Sequence, residues 1–479
     1  MSEKSQQRQL TRQEIFLYST GNFGISIVNA SILGFVLFFY LTEGMTGVSL
    51  HPLVIGALVG TALMVGRIVD AFVNPLVGWA SDNTRWKRWG RRRPFILVGL
   101  IPMTLSFILL FNPPLFLLRL FPDMGEILLI LYLFVIISIF DALFTFVFVP
   151  IYALMPEIAP TSSERITLAV WGNIFALLAN VVGVVIAPVL YENLGFSTTS
   201  VILAIIVFLT ILAVLPIQED IQEDIQKQPG ISLIESLRTS VQNPPYRIFL
   251  VNQIGMQFSF RILSAIMPFF AVSVLLLGLG DTMVMTAPWI LFAMISFPAW
   301  GIIAKKIGKK QAFLYSMAIF SFPLLISFLF VLLPTEVLDQ AFLTIDFLTL
   351  RILIALVMIA IIGFGMGGLW IYPPTIIGDI VDDEERRLGL RRESMYYAFQ
   401  EFTEKLAIAL AIFLEGLILG AFVIGRELHP DYPEELGIYY YYYDPWGPVL
   451  LMGVLAFIPM LVALLVFFKF PSELIIEEN

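Results

Sequence analysis

Stretches of about 20 predominantly apolar residues, the length of helix that crosses a bilayer, recur roughly a dozen times along this chain. With 58% hydrophobic and 14% charged residues, and a mean hydropathy of +0.89, it carries more apolar surface than a soluble globular domain can bury. The chain reads as an integral membrane protein. Breaks at charges, Pro and Gly predict helices over 15–43, 52–82, 94–113, 126–156, 166–192 and 198–216. A second set is predicted over 246–278, 282–305, 311–333, 351–378, 394–425 and 446–470. Two six-helix bundles, 1–216 and 246–479, are therefore expected, joined by a polar cytoplasmic linker at 217–245 that includes IQEDIQEDIQKQPG.

The charges sort on this map. Of 28 Lys and Arg, only Arg119, Arg351 and Arg426 fall in loops on one side, and Arg67, Arg261 and Lys405 fall inside helices. All others lie on the opposite side, which by the positive-inside rule makes both termini cytoplasmic in a multi-pass protein of the plasma membrane. Residues 1–14 are polar and hold no apolar core for signal cleavage. The net charge of −9 says little about partners, because in a membrane protein the distribution matters more than the sum.

Several chemistries are excluded. There is no cysteine, hence no disulfide, thiolate metal site or cysteine nucleophile. The two histidines, His51 and His429, fall in predicted loops. Glycine runs such as GFGMGG at 363–368 and GALVG at 56–60 lack the phosphate-loop pattern, so they predict close helix packing or hinges rather than nucleotide binding. No enzyme, metal, cofactor or nucleic-acid function is expected.

The halves echo one another. KRWGRRRPF after the second helix corresponds to KKIGKKQAF after the eighth, and PEIAPTSSERI after the fourth to GDIVDDEERRL after the tenth, at nearly the same offset. A duplicated six-helix unit is the architecture in which a central site opens to each side in turn.

Three motifs then carry a resemblance across essentially the whole chain. RIVDAFVNPLVGWASDNTRWKRWGRRRPF at 67–95, DALFTFVFVPIYALMPE at 141–157 and the stretch from Trp370 to Lys405 together resemble the major facilitator superfamily. Within it, the chain is similar to the glycoside-pentoside-hexuronide:cation symporters, leaning toward the plant sucrose transporters and their animal relatives. The resemblance implies a twelve-helix, all-α, monomeric carrier whose partners are a small sugar and membrane lipids. It places Asp70 at a cation-site carboxylate of melibiose-type permeases, while Asn74 and Phe148 stand where those have further acids. Asn173 falls where their sugar-binding arginine would be. A sodium site built of several carboxylates is therefore not expected. Asp141 matches the proton-coupling aspartate of the plant transporters, and Trp370, Gln400 and Lys405 match sugar-side positions.

The residues give a parallel reading. Arg67 and Asp70, three apart, share a helical face and are expected to pair, either as a coupling site or as a structural brace of the second helix. Asp141 has no cation among its neighbours on its own helix, which suits a proton carrier unless it serves only in an interhelical hydrogen bond. Lys405 lies four residues after Glu401 and next to Glu404; the three are read as substrate-binding or as exchanging partners during transport, with a stabilising pair as the alternative. Trp370 is read as stacking on a sugar ring, with Gln400 and Asn173 offering amides to hydroxyls. Arg261, Gln253 and Gln257 are weaker candidates. Asp82, Arg91, Arg92, Arg93, Glu157, Asp379, Arg391 and Arg392, at cytoplasmic helix ends, are read as a gate. YYYYYDPW at 439–446 is expected to form an outer aromatic belt.

The expectation is a secondary transporter moving a sugar or glycoside with protons, in preference to sodium. Its rivals are a sodium-coupled sugar or lysolipid carrier of the same fold and a non-transporting membrane sensor or scaffold.

Overall fold

The computed structural model describes residues 10–42, 48, 50–84, 90, 92–159, 162–217, 242–278, 280–334, 338, 349–388, 393–428 and 439–471. Among these, ten helical stretches are long and apolar enough to cross a membrane. One, Val170–Leu212, has 43 residues and if straight would run to about 64 Å, twice the thickness of a bilayer's hydrocarbon. It breaks at Gly195, whose φ of 75° is a left-handed conformation that glycine alone adopts freely, so it supplies two crossings. A further long helix, Glu393–Ala421, carries Glu404, Lys405 and Glu415 and is less uniformly apolar. Twelve crossings result.

They are numbered in order: α1 Arg12–Thr42, α2 Pro52–Asn83, α3 Arg93–Leu110, α4 Gly125–Ala153, then α5 from Ser162 to the break at Gly195 and α6 from there to Leu212. The second set is α7 Pro244–Val274, α8 Met283–Ile307, α9 Lys309–Leu332, α10 Leu350–Leu388, α11 Glu393–Ala421 and α12 Trp446–Phe467. The predicted spans match these to within a few residues, except that α10 runs about three turns further than expected, through the acidic and basic residues before Leu388. One feature departs from an all-helical reading. Tyr439–Tyr443, expected as a belt, is a strand (β2) paired with Val423–Leu428 (β1), consistent with the high strand preference of tyrosine and of the Val-Ile that opens β1.

Two compact units emerge, Met1–Ser49 with Thr61–Lys227 and Leu428–Tyr440, and Leu50–Gly60 with Gln228–Glu427 and Tyr441–Asn479. In the first, α1 packs on α5 and α6, and α3 on α4; in the second, α7 packs on α11 and α12, and α9 on α10. The same neighbours at the same places in the order are what a duplicated unit requires. Gly90 and Gly308, the loop glycines matched by the internal repeat, both take left-handed φ values, 78° and 84°. The first helix of each set also carries a π-helical turn, at Ile32–Val36 and Phe270–Val274.

α3 shows why these units suit lipid. Ile96, Leu100, Met103, Phe107 and Leu110 recur at helical spacing and are buried, while Val98, Ile101, Leu105 and Leu109 form an equally apolar stripe that is exposed. A helix apolar on its outward face has hydrocarbon, not water, as its solvent.

Candidate functional site

In the first unit, three charged side chains and a threonine meet where α2 crosses α4. The Nη2 of Arg67 lies 3.6 Å from Oδ1 of Asp141, with the two side chains 13% and 1% exposed. Asp70, one turn on from Arg67 and buried, accepts a hydrogen bond from Oγ1 of Thr145, one turn on from Asp141. Beside the expected proximity of Arg67 and Asp70 on one face of α2, a pair runs between helices, from Arg67 to Asp141. Spacing along one helix gives proximity, but an acid on the facing helix meets the guanidinium just as well once the backbones are close enough. Gly66 provides that closeness, since a Cβ there would stand 2.6 Å from Oδ2 of Asp141.

In the second unit the polar groups gather on α7 and α11. Glu404 accepts from three amides: Nε2 of Gln253 at 3.1 Å and of Gln400 on Oε1, and Nε2 of Gln257 at 3.1 Å on Oε2. Gln253 and Gln257, weak candidates in the sequence, are first-rank partners in the structure. Glu401 is exposed and Lys405 half-buried. Two turns along α7 from Gln253, Arg261 lies 3.8 Å from Glu415 of α11, both almost wholly buried. Sequence reading missed Glu415. Its signal was an acid inside the apolar run FLEGLILG, but only the fold supplies its partner.

Trp370 of α10 is 45% exposed and meets Phe260 of α7 edge-on, ring centroids 6.0 Å apart, and Phe260 also meets Trp289 of α8 at 5.9 Å. Asn173 of α5 is exposed.

Of the residues read as a gate, Arg91, Arg391 and Arg392 and the side chains of Asp82 and Glu157 lie outside the described residues. The others make partners inside their own units. Arg92 donates to Ser81 Oγ at 2.6 Å, and Arg93 donates to the carbonyls of Pro216 and Ile217 just beyond the end of α6. Asp379 of α10 pairs with Lys309 of α9 at 3.0 Å.

Each unit thus holds its own group of charged or amide side chains within apolar helices, a costly placement in hydrocarbon. The model of the family described as MFS/sugar transport protein matches residues 17–468. The isoprimeverose transporter of Lactiplantibacillus pentosus is 25% identical over 85% of this chain and 80% of its own length. The sodium-dependent lysophosphatidylcholine symporter 1-A of Danio rerio is 23% identical over 87% of this chain and 80% of its own. Among solved structures, a D-xylose-proton symporter superposes with a TM-score of 0.63 at 12% identity, covering 96% of this chain and 98% of that one, a likeness of fold.

Proposed function

We propose that this chain, which belongs to the MFS/sugar transport protein family, carries a neutral sugar or glycoside by alternating access, coupled to protons at Asp141. The observation that carries the reading is the Arg67–Asp141 pair, a carboxylate 1% exposed whose cationic partner sits on another helix. A proton arriving on Asp141 removes half of the pair and frees the guanidinium. Asp70, three residues from Arg67 on the same face, is proposed to receive it. One bound proton thereby exchanges an interhelical tie for an intrahelical one, and α2 and α4 are released from each other without leaving a buried charge uncompensated.

The sugar contacts proposed in the second unit are Trp370 as a stacking surface beside Phe260, Lys405 and Glu401 as hydrogen-bonding groups, and Gln400 and Glu404 on the same helix as these; in the first unit Asn173 of α5 is proposed by itself as a hydrogen-bonding group. The basic loops support cytoplasmic termini. The gate residues are proposed to bias the conformers from the cytoplasmic ends, Asp379 and Lys309 among them.

Reconstituted vesicles test the reading. Asp141→Asn is expected to abolish sugar accumulation driven by an inward proton gradient while leaving sugar exchange at equal pH measurable. Gradient-driven accumulation by that variant would show that the proton is carried elsewhere.

A second reading, a carrier of amphiphiles, is favoured by the exposed Phe402 and Leu406 on either side of Lys405 on α11. A choline lysolipid that competes with sugar uptake in the same vesicles supports it; no competition removes it.

A further inference from the structure

We propose that Glu415 is a second proton-binding carboxylate, in the second unit and separate from Asp141, with Arg261 as its counter-charge. Glu415 is 0% exposed, and Nη2 of Arg261, at 3.8 Å, stands beyond hydrogen-bond reach of it. Neither carboxylate oxygen has a hydrogen-bond donor among the described residues. A buried carboxylate held by an ion pair alone is poorly compensated for the water it has lost. A proton taken from solvent removes the charge, and its return to solvent restores the pair.

The helices packed on α11 bring no other ionisable group to Glu415. On α7 the nearest besides Arg261 is Arg247, about four turns earlier, and on α11 itself it is Lys405, about three turns earlier. The Pro52–Gly60 end of α2, which belongs to this unit, has none, α12 has none, and α10 has none between Arg351 and Tyr372. Arg351 is turned to α7, where it donates to the carbonyl of Val274 at 2.5 Å. Water is also kept from one side of α11. Gly416, the residue after Glu415, lies so close to Gly56 of α2 that a Cβ on either would collide with the carbonyl of the other.

The count of charges points the same way. Where α7 meets α11 there are one guanidinium, Arg261, and two carboxylates, Glu415 and Glu404, the second of which is met by the amides of Gln253, Gln257 and Gln400. Glu401 and Lys405 add one charge of each sign and leave the sum unchanged. One proton on Glu415 therefore makes the set neutral. Gln257, which donates to Glu404 at 3.1 Å, stands one turn before Arg261 on the same face of α7, so the guanidinium keeps a carboxylate near its own stretch of helix when Glu415 is protonated. The first unit holds the same inventory, Arg67 with Asp70 and Asp141.

The test is infrared difference spectroscopy of the purified full chain in a hydrated phosphatidylcholine film, without sugar, as pH is lowered. A protonated carboxyl whose carbonyl accepts no hydrogen bond absorbs at higher frequency than solvated ones, which sets Glu415 apart from surface acids. Cell-free synthesis with glutamate isotopically labelled in its side-chain carboxyl shifts a glutamate band and leaves that of Asp141 in place, so the two proton assignments succeed or fail separately. The expected result is a high-frequency band that grows on acidification, moves with the label, is lost in Glu415→Gln and is kept in Glu404→Gln. In Glu415→Asp, which restores a carboxyl at the same place, a band is expected to return that no longer moves with the label. The proposal is overturned if no high-frequency band moves with the label, or if the band that does is kept in Glu415→Gln or lost in Glu404→Gln.

Discussion

Arg67 and Asp141 face each other across the α2–α4 crossing at 3.6 Å, with Gly66 leaving the room that brings the carboxylate against α2. The pair is the point at which a proton would be felt by both helices at once. Its consequences can be separated by substitution.

Gly66→Ala places a methyl group 2.6 Å from Oδ2 of Asp141, so either the carboxylate or the helix must shift. Overpacking of this kind costs about 1–3 kcal/mol. The expected outcome is a lower Tm together with proton-driven uptake that falls more than equal-pH exchange does. Measuring both in the same preparation separates displacement of Asp141 from general loss of folded protein.

Arg67→Gln removes the cation and leaves Asp141 buried. Loss of one partner from a buried pair costs about 3–5 kcal/mol. Unfolding followed by heat is expected to move down strongly in Arg67→Gln and to recover in Arg67→Gln/Asp141→Asn, in which no charge of the pair remains. A double variant no more stable than Arg67→Gln alone would mean that Asp141 is compensated by another group.

The same cycle applies to Arg261 and Glu415, 3.8 Å apart and buried in the second unit. Glu415→Gln alone is expected to destabilise, and Arg261→Met/Glu415→Leu to recover much of the loss, because two apolar groups replace two desolvated charges. Tm across the four proteins of the cycle gives the coupling directly.

Much of the architecture could be read from the chain because it is written in composition. Apolar length set the helices, charge asymmetry set the loops, and the matched loop motifs announced the repeat that reappears as equal packing of α1 on α5 and α6 and of α7 on α11 and α12. Pairing was legible only where both partners sit on one helix. Arg67 and Asp70 on one face of α2 are readable from their spacing, whereas the hydrogen bond that Asp70 accepts from Thr145 on α4 is not. The importance of Gln253 and Gln257 likewise depends on α7 lying against α11, which no local pattern states. The β ribbon was hidden because a tyrosine run near a membrane reads equally as an interfacial belt or a strand, and its partner lies across a loop.

At the helix ends read as cytoplasmic, Lys309 and Asp379 form a partly buried pair, 26% and 10% exposed, whose worth lies between that of a surface pair and that of a buried one. Asp379→Asn is expected to lower Tm modestly while altering the ratio of inward- to outward-facing molecules. Accessibility of single cysteines placed on either side in this naturally cysteine-free chain reads that ratio. An unchanged ratio would assign Asp379 to local structure alone.

The central claim is that sugar and proton cross together through protonation of Asp141. The most direct measurement is external pH in a lightly buffered suspension of energy-depleted vesicles when sugar is added. The account predicts a transient alkalinisation with the wild-type protein, as protons enter with sugar, and none with Asp141→Asn although labelled sugar still exchanges. Sugar entry without alkalinisation in the wild type, or an undiminished signal in Asp141→Asn, would contradict it.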